Sequence, residues 1–300
     1  MPSWYHYTAF GRLVDRKVMS EDPRILVFSS LNEVMARAEE FVLLVSEALG
    51  VRQPIEKTLR QINFNDGETV IVAGEMGGEL ATMNAFIGHR FNSDDCSVLT
   101  FQSGFSATLL KHRGKGLWPK LLVASESILA ELNGQWIFGF PNPVSLPLFQ
   151  HKLSYSTLNM LSLRLPTIAI SSLPSSKPDL SYTTPDFAQL SAWKYDCDAE
   201  KYVIIKDEKL QAIYKRKQKF GMGMLDIGAF GSASMSVPEI LHDLKQTDSA
   251  AFVRLEVNED SQYAKYLKMK KVSRPVIVKE IGNGVFPRKV DIFGGLADDF

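Results

Sequence analysis

Two stretches of this chain run through the same succession of elements, and that duplication restricts the fold more than any single motif. In the first pass, "ETVIVAGEMGGELATMNAFIGHR" (68–90) reads as two β runs around a glycine turn. "CSVLTFQSGFSATLL" (96–110) is a further strand with Gly104 marking a bulge or a close approach. A helix over 117–132 stops at Asn133-Gly134. It is followed by a buried strand (135–142), a short helix (143–153) and another strand (160–170). The second pass has a hairpin over 201–218 around Asp207-Glu208, a strand over 221–230 and a helix over 236–248. A strand, an Asn and a short aromatic helix (250–272) come next, then closing strands "RPVIVKEI" (274–281) and "KVDIFGG" (289–295). The Pro/Ser-rich tract "SSLPSSKPDLSYTTPD" (171–186) separates the passes as a linker. The fold class predicted is α/β, with a mixed, mostly antiparallel sheet built from two tandem repeats, 61–170 and 187–300. Residues 1–60 form an N-terminal helical extension. Its helix, over 30–50, opens at Ser30 with Glu33 three residues on and ends at Gly50.

Three hundred residues suit two domains, and 45% hydrophobic with 23% charged residues is ordinary globular composition. A formal net charge of zero removes the bulk attraction for nucleic acid or an anionic membrane. Cys96 and Cys197 make no disulfide framework, and no His/Cys cluster has metal-ligand spacing, so no metal is expected. The first residues show no apolar leader, and "FVLLV" is too short to cross a bilayer. These features predict no membrane insertion, a cytoplasmic setting and no nucleic-acid partner; a homodimer stays open.

One corner departs from this even background. In "KHRGKGLWPKLL" four cations, Lys111, Arg113, Lys115 and Lys120, crowd Gly114, Gly116 and Pro119 at the start of a helix. A turn from strand into helix offers unpaired N–H groups and the positive end of the helix dipole. Glycines let that backbone approach a ligand, and Pro119 wastes no donor in the first turn. Together these suit a phosphate or diphosphate; the same residues also suit a solvated turn with basic decoration. The corresponding turn of the second pass, "GAFGSASMSVPE", carries no cation. Neither a P-loop nor a dinucleotide fingerprint fits the spacing.

"RGKGLWPKLL" after a strand resembles the coenzyme-A loop of the GNAT N-acetyltransferases, whose pattern is Arg/Gln-x-x-Gly-x-Gly/Ala. Arg113 and Gly116 match its first and fourth positions, and Trp118 stands where the last Gly or Ala is expected. "WIFGFPNPVSLPLFQHKLSY" (136–155) is similar to the family's fifth strand and next helix, in the form seen in enzymes of polysaccharide and amino-sugar biosynthesis. "SAWKYDCDAEKYVIIKD" (191–207) is similar to the entry into a degenerate second repeat in tandem members. The resemblance covers roughly residues 65 to 300.

It implies that acetyl-CoA or another acyl-CoA is the co-substrate and that a small-molecule primary amine, possibly an amino sugar, is the acceptor, attacking directly. The pantetheine arm would lie along Thr108, Leu109 and Leu110, and the diphosphate against Arg113, Gly114, Lys115, Gly116, Leu117 and Trp118. Asn142 and Ser145 match helix-start positions that contact the coenzyme. Phe149 stands at the position of the family's acid tyrosine, which leaves Tyr155 and His151 as substitutes by proximity. Glu79, Glu75 and His89 are the candidate bases. Trp193, Tyr195 and Tyr202 suit either a sugar platform or core packing. Transfer of an aminoacyl or other acyl group, or a binding protein that retains the fold without the chemistry, are the alternatives.

Overall fold

The duplication is realised as one continuous sheet. The computed structural model describes residues 22–50, 52–62, 64, 68–173, 175, 184–190, 202–206, 210–219, 221–231, 235–266, 271–282, 289–293 and 296. Its first half comprises β1 (Arg24–Phe28), α1 (Leu31–Met35), α2 (Ala38–Leu49), α3 (Ile55–Gln61), β2 (Val70–Met76), β3 (Glu79–Asn92) and β4 (Ser97–Thr108). Then follow α4 (Leu117–Glu131), β5 (Trp136–Gly139), α5 (Leu146–His151), β6 (Ser156–Pro166), β7 (Thr184–Pro185) and α6 (Phe187–Leu190). The second half has β8 (Val203–Lys206), β9 (Gln211–Lys219), β10 (Met222–Gly231), α7 (Val237–Thr247), β11 (Phe252–Asn258) and β12 (Lys271–Glu280). The strand order is β1-β2-β3-β4-β5-β12-β6-β11-β10-β9-β8, with β7 beside β3. All described pairings are antiparallel except β4 with β5 and β10 with β11, the two pairs that a helical crossover joins.

The order shows an exchange. The last strand of the first pass, β6, pairs with β11 of the second. The last strand of the second pass, β12, pairs with β5 of the first. β6 and β12 then pair with each other at the centre. Each copy's closing strand therefore completes the sheet of the other.

Alternation along the strands sorts the core into two layers. Val70, Val72 and Phe86 pack with Leu121, Leu122 and Leu129 of α4. Their neighbours Ile71, Ala73, Met83, Ala85 and Ile87 pack with Phe41, Leu44 and Val45 of α2. Helix α4 thus lies on one face and α2 on the other. Beyond a helical extension, the N-terminal region supplies the edge strand β1, paired to β2 from Arg24↔Glu75 to Phe28↔Ile71. The capping box at Ser30 and Glu33 is present, but the helix expected over 30–50 breaks after Met35. Arg37 leaves helical geometry there and pairs with Glu40 (2.6 Å) and Glu75 (2.6 Å).

The second copy differs from the first at its strand divergence. β10 and β11 pair from Met224↔Phe252 to Ile227↔Leu255 and then part. The C-terminal segment fills the opening. Phe293 bridges to Val257, and the Asn258 amide donates to the Ile292 carbonyl at 3.1 Å. The Phe293 ring is buried and lies 5.2 Å from Phe230 and 5.8 Å from Tyr263. Here the sequence reading needs correcting: among the described residues of 289–295 there is a plug held by isolated bridges, not a sheet strand. Replacing Phe293 with Ala should lower the unfolding free energy by about 3–5 kcal/mol, as for buried aromatic truncations generally. Denaturant titration with an unchanged m value checks this.

Candidate active site

β4 and β5 run together only from Thr100↔Trp136 to Ser103↔Gly139. Beyond that point β4 continues to Thr108, while β5 ends in Phe140 and Pro141, and a proline cannot extend the ladder. A bulge between Gly104 and Ala107 bends β4 at the same level, with Phe105 in a left-handed conformation (φ 48°). Among the described strands none pairs with the β5-facing edge of β4 past Ser103. The result is an open seam inside the sheet, walled by Gly104–Thr108 on one side and Phe140–Asn142 on the other.

The cationic turn sits at the top of this seam. Residues 113–116 are exposed, and Gly114 and Gly116 both have positive φ (76° and 73°). Gly116 caps α4 without a side-chain bond, and the first helical bond is Lys120 N–H to Gly116 carbonyl at 3.3 Å. The N–H groups of Gly114, Lys115, Gly116, Leu117 and Trp118 donate to no described residue, and Pro119 has none to offer. The Arg113 guanidinium donates to the carbonyls of Thr108 (3.1 Å) and Glu47 (3.3 Å), and Lys115 Nζ lies 3.4 Å from His112 Nδ1. Neither cation meets a carboxylate among the described residues. A run of N–H groups without a described acceptor, flanked by cations, has the chemistry of an anion cradle.

No family model matches the chain, and no curated protein matches its sequence. Among solved structures it is similar to a GCN5-related N-acetyltransferase from Anabaena variabilis ATCC 29413, at 12% identity over 86% of this chain and 73% of that one, with TM-score 0.56. A second is a conserved protein of unknown function, probable N-acyltransferase, from Enterococcus faecalis V583 (11% identity, 86% and 72% covered, TM-score 0.61). A third is Eis1 from Mycobacterium abscessus (9% identity, 86% and 74% covered, TM-score 0.55). The fold is that of the GCN5-related N-acetyltransferases.

On that fold the expected residues separate into two groups. Arg113 through Trp118 stand together at the mouth of the seam. Asn142 and Ser145 lie across it, where the Asn142 carboxamide oxygen accepts from the Val144 and Ser145 amides (3.0 and 2.9 Å) in the turn that leads into α5, and Ser145 is that helix's N-cap residue. The strip expected to hold an extended ligand arm shifts upstream. Leu109 N–H is bonded to the Ala81 carbonyl (3.0 Å), Leu110 N–H to Glu47 Oε2 (2.8 Å), and the Thr108 carbonyl to Arg113. Over Gly104–Ala107 the β5-facing edge of β4 meets no described strand, while on the other edge Gly104 and Ala107 are ladder partners of Ala85 and Met83.

The acid and base candidates are rearranged as well. Tyr155 is buried beneath α4, 5.0 Å from Phe149, with its hydroxyl meeting no hydrogen-bond partner among the described residues. Burial, and then the charge of Glu126, push its pKa upward, so it stays neutral. His151 is exposed at the end of α5. Glu79 accepts from His112 (2.8 Å) and Lys111 (2.7 Å), and those two hydrogen bonds, in that order, hold its carboxyl below the ordinary 4.5. A carboxylate so satisfied is a poor proton acceptor: Glu79 anchors the turn. Glu75 is paired to Arg24 and Arg37, and buried His89 to Gln102 (3.0 Å), whose amide donates to the Leu296 carbonyl (2.9 Å). Tyr202 lies under Lys215 Nζ at 4.6 Å, while Trp193 and Tyr195 fall outside the described residues.

Sequence reading missed Asn84, Ser103 and Ser106, which join at the bulge. Asn84 is fully buried, and its oxygen accepts from Ser106 Oγ at 2.6 Å and from Trp118 Nε1 at 3.3 Å. The available signal was an Asn within the apolar run "LATMNAFIG", on the strand face that α4 covers.

Glu79 gives a pH signature. Its folded pKa is depressed, so its contribution is present above the unfolded value near 4.5 and is lost as the pH falls through the folded value. Thermal melts of Glu79→Gln should therefore fall below wild type at pH 7. The difference should close as the pH is lowered below 4.5 through the folded value.

Proposed function

We propose that the chain transfers an acyl group from an acyl-CoA thioester to a primary amine by direct attack in a ternary complex. The observation that carries this is the seam between β4 and β5 leading up to five N–H groups that meet no acceptor among the described residues, at a cationic turn. An unpaired strand edge suits a ligand rich in amides, and the turn suits a diphosphate. The N–C bond forms as the C–S bond breaks, coenzyme A departs as thiolate, and the ammonium proton passes to solvent or a base. No covalent enzyme intermediate is needed. Cys96 is exposed in the β3–β4 turn, at the opposite end of β4 from the cradle, and Cys197 falls outside the described residues.

In this reading residues 61–170 hold the donor and 187–300 bound the acceptor side, with β12 of the second part forming the next strand beyond β5. An amino sugar is the acceptor class that the sequence resemblance suggests. The second reading, a binding protein that kept the fold, draws on Phe149, which has no proton to give where the resemblance expects a tyrosine.

Calorimetry with coenzyme A should show saturable binding to the wild type. Gly116→Val should weaken it tenfold or more. A β-branched residue resists the left-handed backbone, and the added Cβ would meet nothing within 4 Å, so the effect comes through the turn's geometry rather than a clash. Absence of binding at millimolar coenzyme A would refute the acyl-CoA reading. Binding without thiol release across a panel of acyl-CoAs and amines would favour the second reading.

A further inference from the structure

The top of the seam is closed by two rings from opposite walls. Trp118 projects from α4, above β4, and Phe149 from α5, beyond the end of β5. Their centroids are 5.3 Å apart, edge to face. Trp118 reaches inward as well, since its Nε1 donates to the buried Asn84 oxygen. That oxygen also accepts from Ser106 Oγ (2.6 Å) and Ser103 Oγ (3.4 Å), while the Asn84 amide donates to the Ala85 carbonyl (2.9 Å) and to Ser103 Oγ (3.2 Å). Three donors crowd one carboxamide oxygen that has two lone pairs. The indole bond, at 3.3 Å, is among the long ones, so it is a contact that a better donor displaces. Ser106 is exposed and Asn84 is not, so the cluster forms a polar shaft from the surface to β3. A chain laid from the cradle to the floor of the seam at Ser103 and Gly139 has to pass this shaft and part the two rings.

We propose that Trp118 is a latch over the donor channel, and that Asn84, Ser103 and Ser106 form a side-chain recognition site for the amide groups of a pantetheine arm. The inference rests on the acyl-CoA reading above. When the arm enters, the indole leaves Asn84. An arm N–H takes its place on the carboxamide oxygen, and the Ser106 hydroxyl turns to an arm carbonyl. No covalent bond changes. Trp118 suits the role because it stands where the resembling loops have Gly or Ala, which can close nothing. Its N–H gives the closed state a bond that is returned to solvent on opening.

Calorimetry with two probes separates the parts: coenzyme A, and ADP, which carries the diphosphate without the arm. Ser106→Ala should weaken coenzyme A about three- to tenfold, the loss of one hydrogen bond, and leave ADP unchanged. Trp118→Phe keeps a ring but removes the N–H. It should bind coenzyme A more tightly than wild type and lose the ligand-induced change in tryptophan emission that the wild type shows. If coenzyme A binds wild type and both variants equally, with no emission change traceable to Trp118, the latch and the amide site are wrong while the acyl-CoA reading stands. ADP binding as tightly as coenzyme A likewise removes the amide site and keeps the cradle. If wild type binds neither probe, the acyl-CoA reading itself fails and this inference falls with it.

Discussion

The structure turns on one interruption of hydrogen bonding, the parting of β4 from β5 after Ser103 and Gly139. Sheets do not open in their middle without cause, because each abandoned N–H and C=O must find water or another partner. Two local features enforce the opening. The bulge with Phe105 in left-handed geometry turns β4 aside, and Phe140-Pro141 ends the ladder on β5. The elements on that face hold the walls apart. α4 packs on β2 and β3 through Leu121, Leu122 and Leu129, and α5 inserts Phe149 beside Tyr155. Everything assigned to function here, from cradle to recognition shaft, borders that one gap.

The second repeat carries its own control. It repeats the parallel pair and the parting, after Ile227 and Leu255, but there the chain supplies the missing partner. Val257 bridges Phe293, Asn258 receives and returns bonds with the 290–292 backbone, and Asp291 gathers Ser261 and Gln262. A gap in a sheet is stable when filled. In one copy the filling is internal, a segment of the chain itself that brings both apolar rings and buried polar groups. In the other, no described strand occupies the open edge, and the N–H groups of the turn above it meet no acceptor among the described residues. The two copies also complete each other through β6 and β12, so the plugged copy supports the open one structurally.

Much of this was legible in the residues. The 3.6-residue spacing and the Asn133-Gly134 stop marked α4, observed over Leu117–Glu131, and the double glycine at 77–78 marked the hairpin turn. Gly104 signalled the irregularity of β4, though the left-handed residue is its neighbour Phe105. The strand exchange was not legible, because β6 and β12 have the same apolar pattern whichever partner they take. Strand β6 also begins four residues earlier than its apolar run, at Ser156. Ser156, Thr157 and Asn159 interrupt the apolar pattern there, yet their backbone pairs with β12. Among candidate site residues, the clustering of glycines and cations over 111–116, residues that precede α4 in an exposed turn, was readable. The engagement of Glu79 by His112 and Lys111 was not, since these residues are distant in sequence and meet only through the turn.

The row Trp118–Phe149–Tyr155 bears on how demanding the chemistry is. Phe149 and Tyr155 are both buried, with Phe149 between Trp118 and Tyr155; the phenol of Tyr155 is neutral, and the ring at 149 has no proton to give. That arrangement is compatible with acyl transfer only if the leaving group needs little help. A thiol has an ordinary pKa of about 8.5, so a departing thiolate is already close to stable at neutral pH and gains little from an acid in the transition state. Amine attack and support of the developing oxyanion are then the steps that geometry must serve, and both depend on the open edge of β4 rather than on a titrating side chain. A site whose carboxylates Glu75 and Glu79 are tied up in ion pairs, whose Glu47 accepts from a backbone N–H, and whose ring at 149 gives no proton is consistent with catalysis by placement.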